Sequence, residues 1–112
     1  MTLVKLCELD DIRDMEAKGF VGRVDGKQRN IFAVRKAGAY YVYLNQCPHA
    51  GALIDHIQDK FFSGDGTQLR CGMHGALFQI ETGECVDGPC IGKSLTPLPS
   101  HAKDDGLYIE ET

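Results

Sequence analysis

The sequence lacks several features that would place it in common functional classes. No apolar run approaches the length of a membrane-spanning helix. Residues 1–8 carry Lys5 and Glu8 instead of a long apolar targeting segment. Glycine-rich phosphate loops, nucleophile elbows and paired catalytic carboxylates are also missing. We therefore expect a cytoplasmic chain that binds no membrane and has no catalytic residues of its own.

The chain also lacks an excess of positive charge. Twelve Lys and Arg residues stand against sixteen Asp and Glu residues, which gives a net charge of −4. Nucleic-acid binding needs a basic face for the phosphates, so this balance argues against it. The mild acidity fits ordinary solubility as well as it fits steering toward a basic partner. A length of 112 residues is that of one domain.

Short strands separated by glycine-rich turns dominate what is present. Thirteen glycines are distributed along the chain, and turn pairs such as Asp25-Gly26 divide the strand-like segments. Residues 10–18 fit a short helix and an exposed loop equally well. The pattern predicts an all-β domain of antiparallel sheets, with strands at residues 2–9, 19–24, 28–35, 39–44 and 107–111.

Two similar short motifs carry the chemistry. Cys47-Pro48-His49 and Cys71-Gly72-Met73-His74 each offer one thiolate and one imidazole, and together they form a metal site. Zinc sites usually group cysteine with cysteine and histidine with histidine, whereas here the two types alternate. A Rieske [2Fe–2S] centre has two cysteines on one iron and two histidines on the other, so each short loop can span the cluster. Zinc remains the less favoured alternative.

These motifs resemble the two cluster-binding loops of the Rieske family, and the chain is most similar to the small soluble Rieske ferredoxins of oxygenase systems. The resemblance covers nearly the whole chain. It implies a single domain over 1–112, with antiparallel sheets as a β-sandwich-like base and a small subdomain of loops at 45–52, 71–76 and 87–92. It also implies one [2Fe–2S] cluster per chain, with Cys47 and Cys71 on one iron and His49 and His74 on the other.

The resemblance further implies a one-electron carrier rather than an enzyme. A monomer would take electrons from a flavin-dependent ferredoxin reductase and pass them to a terminal oxygenase. The alternatives are the small Rieske subunit of a nitrite reductase-like complex and a structural zinc module. The front domain of a Rieske oxygenase is excluded because only His56 and His101 would remain for a mononuclear iron site, with no domain to house them.

The residues beside the ligands indicate which Rieske type this is. High-potential relatives carry a disulfide between the loops and hydroxyls near the cluster sulfurs. The corresponding positions here are Ala52 and Met73 for the disulfide, and Ala76 and Phe78 for the hydroxyls. Fewer hydrogen bonds to sulfur stabilise the reduced cluster less. We therefore expect a midpoint potential near the low end of the Rieske range, at roughly −150 mV.

The gap between the two motifs is several residues longer than is usual in the family. We assign the extra length to residues 55–68, with Ser63-Gly64-Asp65-Gly66 as the turn of a surface hairpin.

Two cysteine ligands leave Cys7, Cys85 and Cys90. This odd remainder gives no disulfide framework and fits a reducing compartment. We expect Cys7 and Cys85 in the core and Cys90 as a buried, inert thiol of the covering loop.

Overall fold

The computed structural model describes residues 2–24, 26–46, 61–63, 66–71, 75–88 and 91–111. Within these ranges the chain folds into strands and one short 3₁₀ turn at Leu9–Asp11. None of the helical segments described there is long or apolar enough to cross a membrane. The strands are β1 (Thr2–Cys7), β2 (Glu16–Val24), β3 (Lys27–Lys36), β4 (Ala39–Leu44), β5 (Leu69–Arg70), β6 (Leu77–Phe78), β7 (Cys85–Asp87), β8 (Ser100–Lys103) and β9 (Gly106–Glu111).

These strands of the described chain form three antiparallel sheets, which confirms the predicted all-β fold. The orders are β1-β9-β8, β2-β3-β4 and β5-β6-β7. The central sheet, β2-β3-β4, consists of two successive hairpins, with Val24 opposite Lys27 and Lys36 opposite Ala39. Tight turns fix the register of these hairpins, so their strands face each other residue by residue.

The middle of strand β3, residues 31–34, is buried on both faces, because one of the other sheets packs against each side of the central sheet. Phe32 and Val34 belong to a core cluster with residues of β5–β7, whereas Ile31 and Ala33 belong to a second cluster with Leu107 of β9. Ile31 and Ala33 therefore face one neighbouring sheet, and Phe32 and Val34 face the other. The central sheet is thus the middle of three layers.

Strand β8 and the start of β2 differ from the sequence prediction. Residues 100–103, outside the predicted strands, pair with β9, and β2 begins three residues earlier than expected. Residues 95–99 lie along β4 without forming a regular strand. There the Leu44 N–H donates to Thr96 O and the Leu98 N–H donates to Val42 O, both at 2.9 Å.

The predicted cluster loops leave from one end of this stack. An ion pair of 2.9 Å joins Lys36 to Glu81, so the β3–β4 turn lies beside the β6–β7 turn. The opposite ends of the same strands lead into residues 45–46, 71–76 and 88. At that end the Asn45 N–H donates to Asn30 O at 2.9 Å, which ties the start of the first loop to the central sheet.

Candidate metal centre

Cys71 lies at the base of the second predicted ligand loop, directly after β5. Its side chain is buried, and its N–H donates to Ala76 O at 2.9 Å. The Gly75 N–H donates in turn to Cys71 O at 2.9 Å. Gly75 has a φ of +71°, a conformation that glycine adopts without a steric penalty. These two hydrogen bonds tie Cys71 to Gly75 and Ala76, so the described ends of the predicted loop lie next to each other.

Of the four predicted ligands, Cys71 is the one that the structure describes. Cys47, His49 and His74 lie outside the described residues, and the assignment of all four residues as ligands stays a prediction. The same is true of Ala52, Met73, His56, Cys90 and residues 55–60. The first loop is described as far as Gln46, whose N–H donates to Leu44 O at 2.9 Å.

The third loop contacts the second through backbone atoms. Gly88 has a φ of +96°, and a Cβ built there would lie 2.8 Å from the Cα of Ala76. The Gly88 N–H donates to the Asp87 carboxylate at 2.8 Å, which fixes the point where the chain leaves β7. Ile91 follows with 65% of its side chain exposed. A residue without a side chain is thus required where the covering loop meets the ligand loop.

The hydroxyl positions of high-potential relatives hold apolar side chains in the folded protein. Ala76 and Phe78 are both completely buried. An alanine methyl and a phenyl ring have no hydroxyl, so neither can donate a hydrogen bond to a cluster sulfur. Both positions therefore bring buried apolar surface to the site region, where high-potential relatives have hydroxyls.

The other cysteines and histidine of the described chain take the structural roles that the sequence predicted. Cys7 is buried, and this burial raises the pKa of its thiol. Cys85 is buried in the core and its thiol donates to Asp87 O at 3.2 Å. His101 is exposed and lies 2.8 Å from the Glu110 carboxylate.

Arg70 is a residue of the site region that sequence reasoning missed. Its side chain turns toward the loop that follows it. A Cβ built on Gly75 would lie 3.8 Å from Arg70 Nη2 and 3.9 Å from Nε. The available signal was simple, since a cation stands immediately before a predicted cysteine ligand.

The described part of the site fits an iron–sulfur cluster. The sequence supplies two thiols and two imidazoles, which is the donor set of a Rieske centre. Cys71 is hydrogen-bonded to Gly75 and Ala76, and Gly88 lies so close to Ala76 that a side chain at position 88 would collide with it. The class defined by this fold and donor set is a small all-β metal-binding protein.

The family is shown by a direct match. The sequence model of the Rieske [2Fe-2S] domain matches residues 2–102. The chain belongs to the Rieske [2Fe–2S] domain family, which confirms the resemblance seen in the motifs. Membership implies a [2Fe–2S] cluster as the cofactor. None of the curated proteins matches the chain.

Solved structures share the fold. The ferredoxin of carbazole 1,9a-dioxygenase from Nocardioides aromaticivorans IC177 is 22% identical, with a TM-score of 0.77 and complete coverage of both chains. The Sphingomonas yanoikuyae B1 ferredoxin is 22% identical, with a TM-score of 0.74 over 99% of this chain and 100% of that one. A complex of reduced oxygenase and oxidized ferredoxin in carbazole 1,9a-dioxygenase matches with a TM-score of 0.75 and 22% identity over 96% of this chain and 100% of that one.

Proposed function

We propose that this protein is a one-electron carrier that uses a Rieske [2Fe–2S] cluster. The observation that carries the proposal is the family match over residues 2–102, together with the buried Cys71, whose backbone is hydrogen-bonded to Gly75 and Ala76. When bound, the cluster would supply reversible one-electron chemistry at a potential above that of all-cysteine ferredoxins. Cys47, His49, Cys71 and His74 would hold it.

The protein's own residues have defined roles in this proposal. The hydrogen bonds between Cys71 and residues 75–76 keep the thiol in one place, which limits reorganisation of the loop between redox states. The close contact of Gly88 with Ala76 brings the covering loop down on the ligand loop and restricts access of water. His49 and His74, as neutral imidazoles, would lower the negative charge of the site relative to four thiolates.

The proposed partners are a flavin-dependent ferredoxin reductase as donor and a terminal oxygenase as acceptor. One structural neighbour is a ferredoxin in complex with the oxygenase of its system, and two others are ferredoxins of similar length. We extend this role to the present chain as a monomeric carrier. A cytoplasmic location belongs to the same proposal, and the odd number of non-ligand cysteines supports it.

The first test is the visible spectrum of the purified protein with counts of iron, zinc and sulfide. We expect a brown protein with about two iron and about two sulfide ions per chain, whose spectrum bleaches on reduction. Cys71→Ser should lose iron and colour. Cys7→Ala is the matched control, because Cys7 is a buried cysteine in the other core cluster and should keep both.

The second test follows the electron. After reduction by a flavin reductase and NADH, the protein should reduce a Rieske oxygenase in single-turnover mixing. A colourless protein that holds one zinc and no sulfide after anaerobic reconstitution would contradict the proposal. Retention of iron and colour by Cys71→Ser would contradict the ligand assignment.

A further inference from the structure

Arg70 places a positive charge against the ligand loop of a chain that is acidic overall. The residue is exposed and ends β5, one position before Cys71. Its side chain turns back toward the loop, so that Nη2 and Nε lie 3.8 and 3.9 Å from the position of a Cβ on Gly75. The guanidinium therefore lies near Gly75, which follows the proposed ligand His74 in the sequence.

The backbone of Arg70 is fixed in the sheet, which sets the starting point of its side chain one residue before Cys71. The Arg70 N–H donates to Phe61 O at 2.7 Å, and Arg70 pairs with Leu77 of β6. Among the described residues, no carboxylate forms an ion pair with its guanidinium. The guanidinium therefore presents its positive charge beside Gly75.

Asp87 is the opposing charge on the same side of the site. Leu77 pairs with Arg70 on one side and with Asp87 on the other. Strand spacing therefore separates the two residues by roughly 10 Å. The Asp87 carboxylate accepts the Gly88 N–H at 2.8 Å. Arg70 and Asp87 thus place opposite charges on either side of Leu77, the first residue of β6.

We infer that the positive charge of Arg70 raises the redox potential of the cluster; this inference rests on the proposed function. Reduction adds one negative charge to the site, and a nearby cation stabilises the reduced state more than the oxidised one. Arg70 would thereby compensate in part for the missing hydroxyls at Ala76 and Phe78. It acts by charge and not by a hydrogen bond to sulfur.

The experiment is a spectroelectrochemical titration of the cluster-loaded protein at low salt. Arg70→Gln should shift the ratio of reduced to oxidised protein at fixed potential by about threefold toward the oxidised form. Because a tenfold change corresponds to 59 mV for one electron, the midpoint potential should fall by about 28 mV. Arg70→Lys should keep the wild-type value, and Arg70→Glu should shift it about twice as far as Arg70→Gln. Asp87→Asn, which keeps an acceptor for Gly88, should shift the midpoint upward.

Lys103→Gln is the matched control, since it also removes one positive charge. Lys103 is exposed on β8, and the central sheet separates its sheet from β5–β7. The midpoint potential of Lys103→Gln should equal that of the wild type. The difference between wild type and Arg70→Gln should also shrink as salt is raised from 0.01 to 1 M, because the Debye length falls from about 30 Å to about 3 Å.

Iron and sulfide counts separate the two levels of the argument. Absence of a cluster from the wild type would overturn the proposed function. An intact cluster with the same midpoint in wild type and Arg70→Gln would overturn the role of Arg70 alone. If the midpoint potential of Arg70→Lys fell as far as that of Arg70→Gln, a structural role of the guanidinium would replace the electrostatic one. Arg70→Ala provides a second neutral variant should Arg70→Gln retain too little cluster to titrate.

Discussion

At the scale of single residues, the apolar side chains behind the ligand loop lead to the first prediction. Ala76 and Phe78 are buried where high-potential relatives place hydroxyls. We therefore expect a midpoint potential of roughly −150 mV, the low end of the Rieske range. Ala76→Ser adds a single donor at the smaller position and should raise the midpoint if its hydroxyl reaches sulfur. Titration of both proteins checks this, and a wild-type midpoint above zero would contradict it.

Gly88 is the second residue on which the site depends. A Cβ at this position would meet the Ala76 Cα at 2.8 Å, and the φ of +96° is strained for any other residue. We expect Gly88→Ala to push the covering loop away from the ligand loop and to speed the loss of iron in a chelator assay several-fold. Gly92→Ala is the control, because it has a similar φ of +93° but no atom within 4 Å of its Cβ position. Equal rates of iron loss in the two variants would contradict the argument.

At the scale of elements, the hairpin that precedes Cys71 is part of the core. Phe62 bridges to Leu69, and the Ser63 N–H donates to Gln68 O at 2.8 Å, so the predicted hairpin is confirmed within the described residues. The first strand of the hairpin is not confined to the surface, because Phe61 is completely buried and stacks on Phe32 with ring centroids 4.7 Å apart. The hairpin therefore supports the residues that lead into the ligand loop.

This packing predicts that Phe61→Ala is strongly destabilising. Removal of a buried phenylalanine costs about 3–5 kcal/mol, from lost burial and from the cavity that remains. Denaturant unfolding of the cluster-loaded protein measures the loss. Phe61→Leu should cost clearly less, because it retains most of the apolar volume. A change below about 1 kcal/mol for Phe61→Ala would mean that the hairpin does not support the core.

The sequence predicted elements with strong local signals and missed those defined by tertiary contact. Strand β4 was predicted to the residue, because the turn at 36–38 and the row of tyrosines mark its limits. Strand β8 was missed, because Ser-His-Ala-Lys has no apolar alternation and is a strand only through its bonds to β9. The same contrast holds at the site. Cys71 was predicted as a ligand from a local motif, whereas the position of the Arg70 side chain depends on its approach to Gly75 in the folded protein.

At the scale of the whole molecule, Tyr43 connects two of the three layers. Its ring lies in the core cluster with Phe32, and its hydroxyl donates to Ile80 O at 2.6 Å across the interface between the central sheet and β5–β7. Burial raises the pKa of this phenol from 10 to about 12. The neutral hydroxyl is therefore favoured by the fold, and ionisation opposes the packing of the two sheets.

The last prediction follows from the sign of this shift. A pKa that is higher in the folded state gives stability that is complete below pH 10 and is lost as pH rises through about 12. Two pKa units correspond to about 3 kcal/mol. The free energy of unfolding should therefore fall steeply above pH 10.

Tyr43→Phe should be less stable at pH 8, since Ile80 O loses its donor, but should show a flatter alkaline slope. Tyr40→Phe removes a second tyrosine–carbonyl bond, to Leu9 O at 3.0 Å, and should keep the steep slope because Tyr43 is intact. An alkaline slope unchanged in Tyr43→Phe would show that another group controls the alkaline transition.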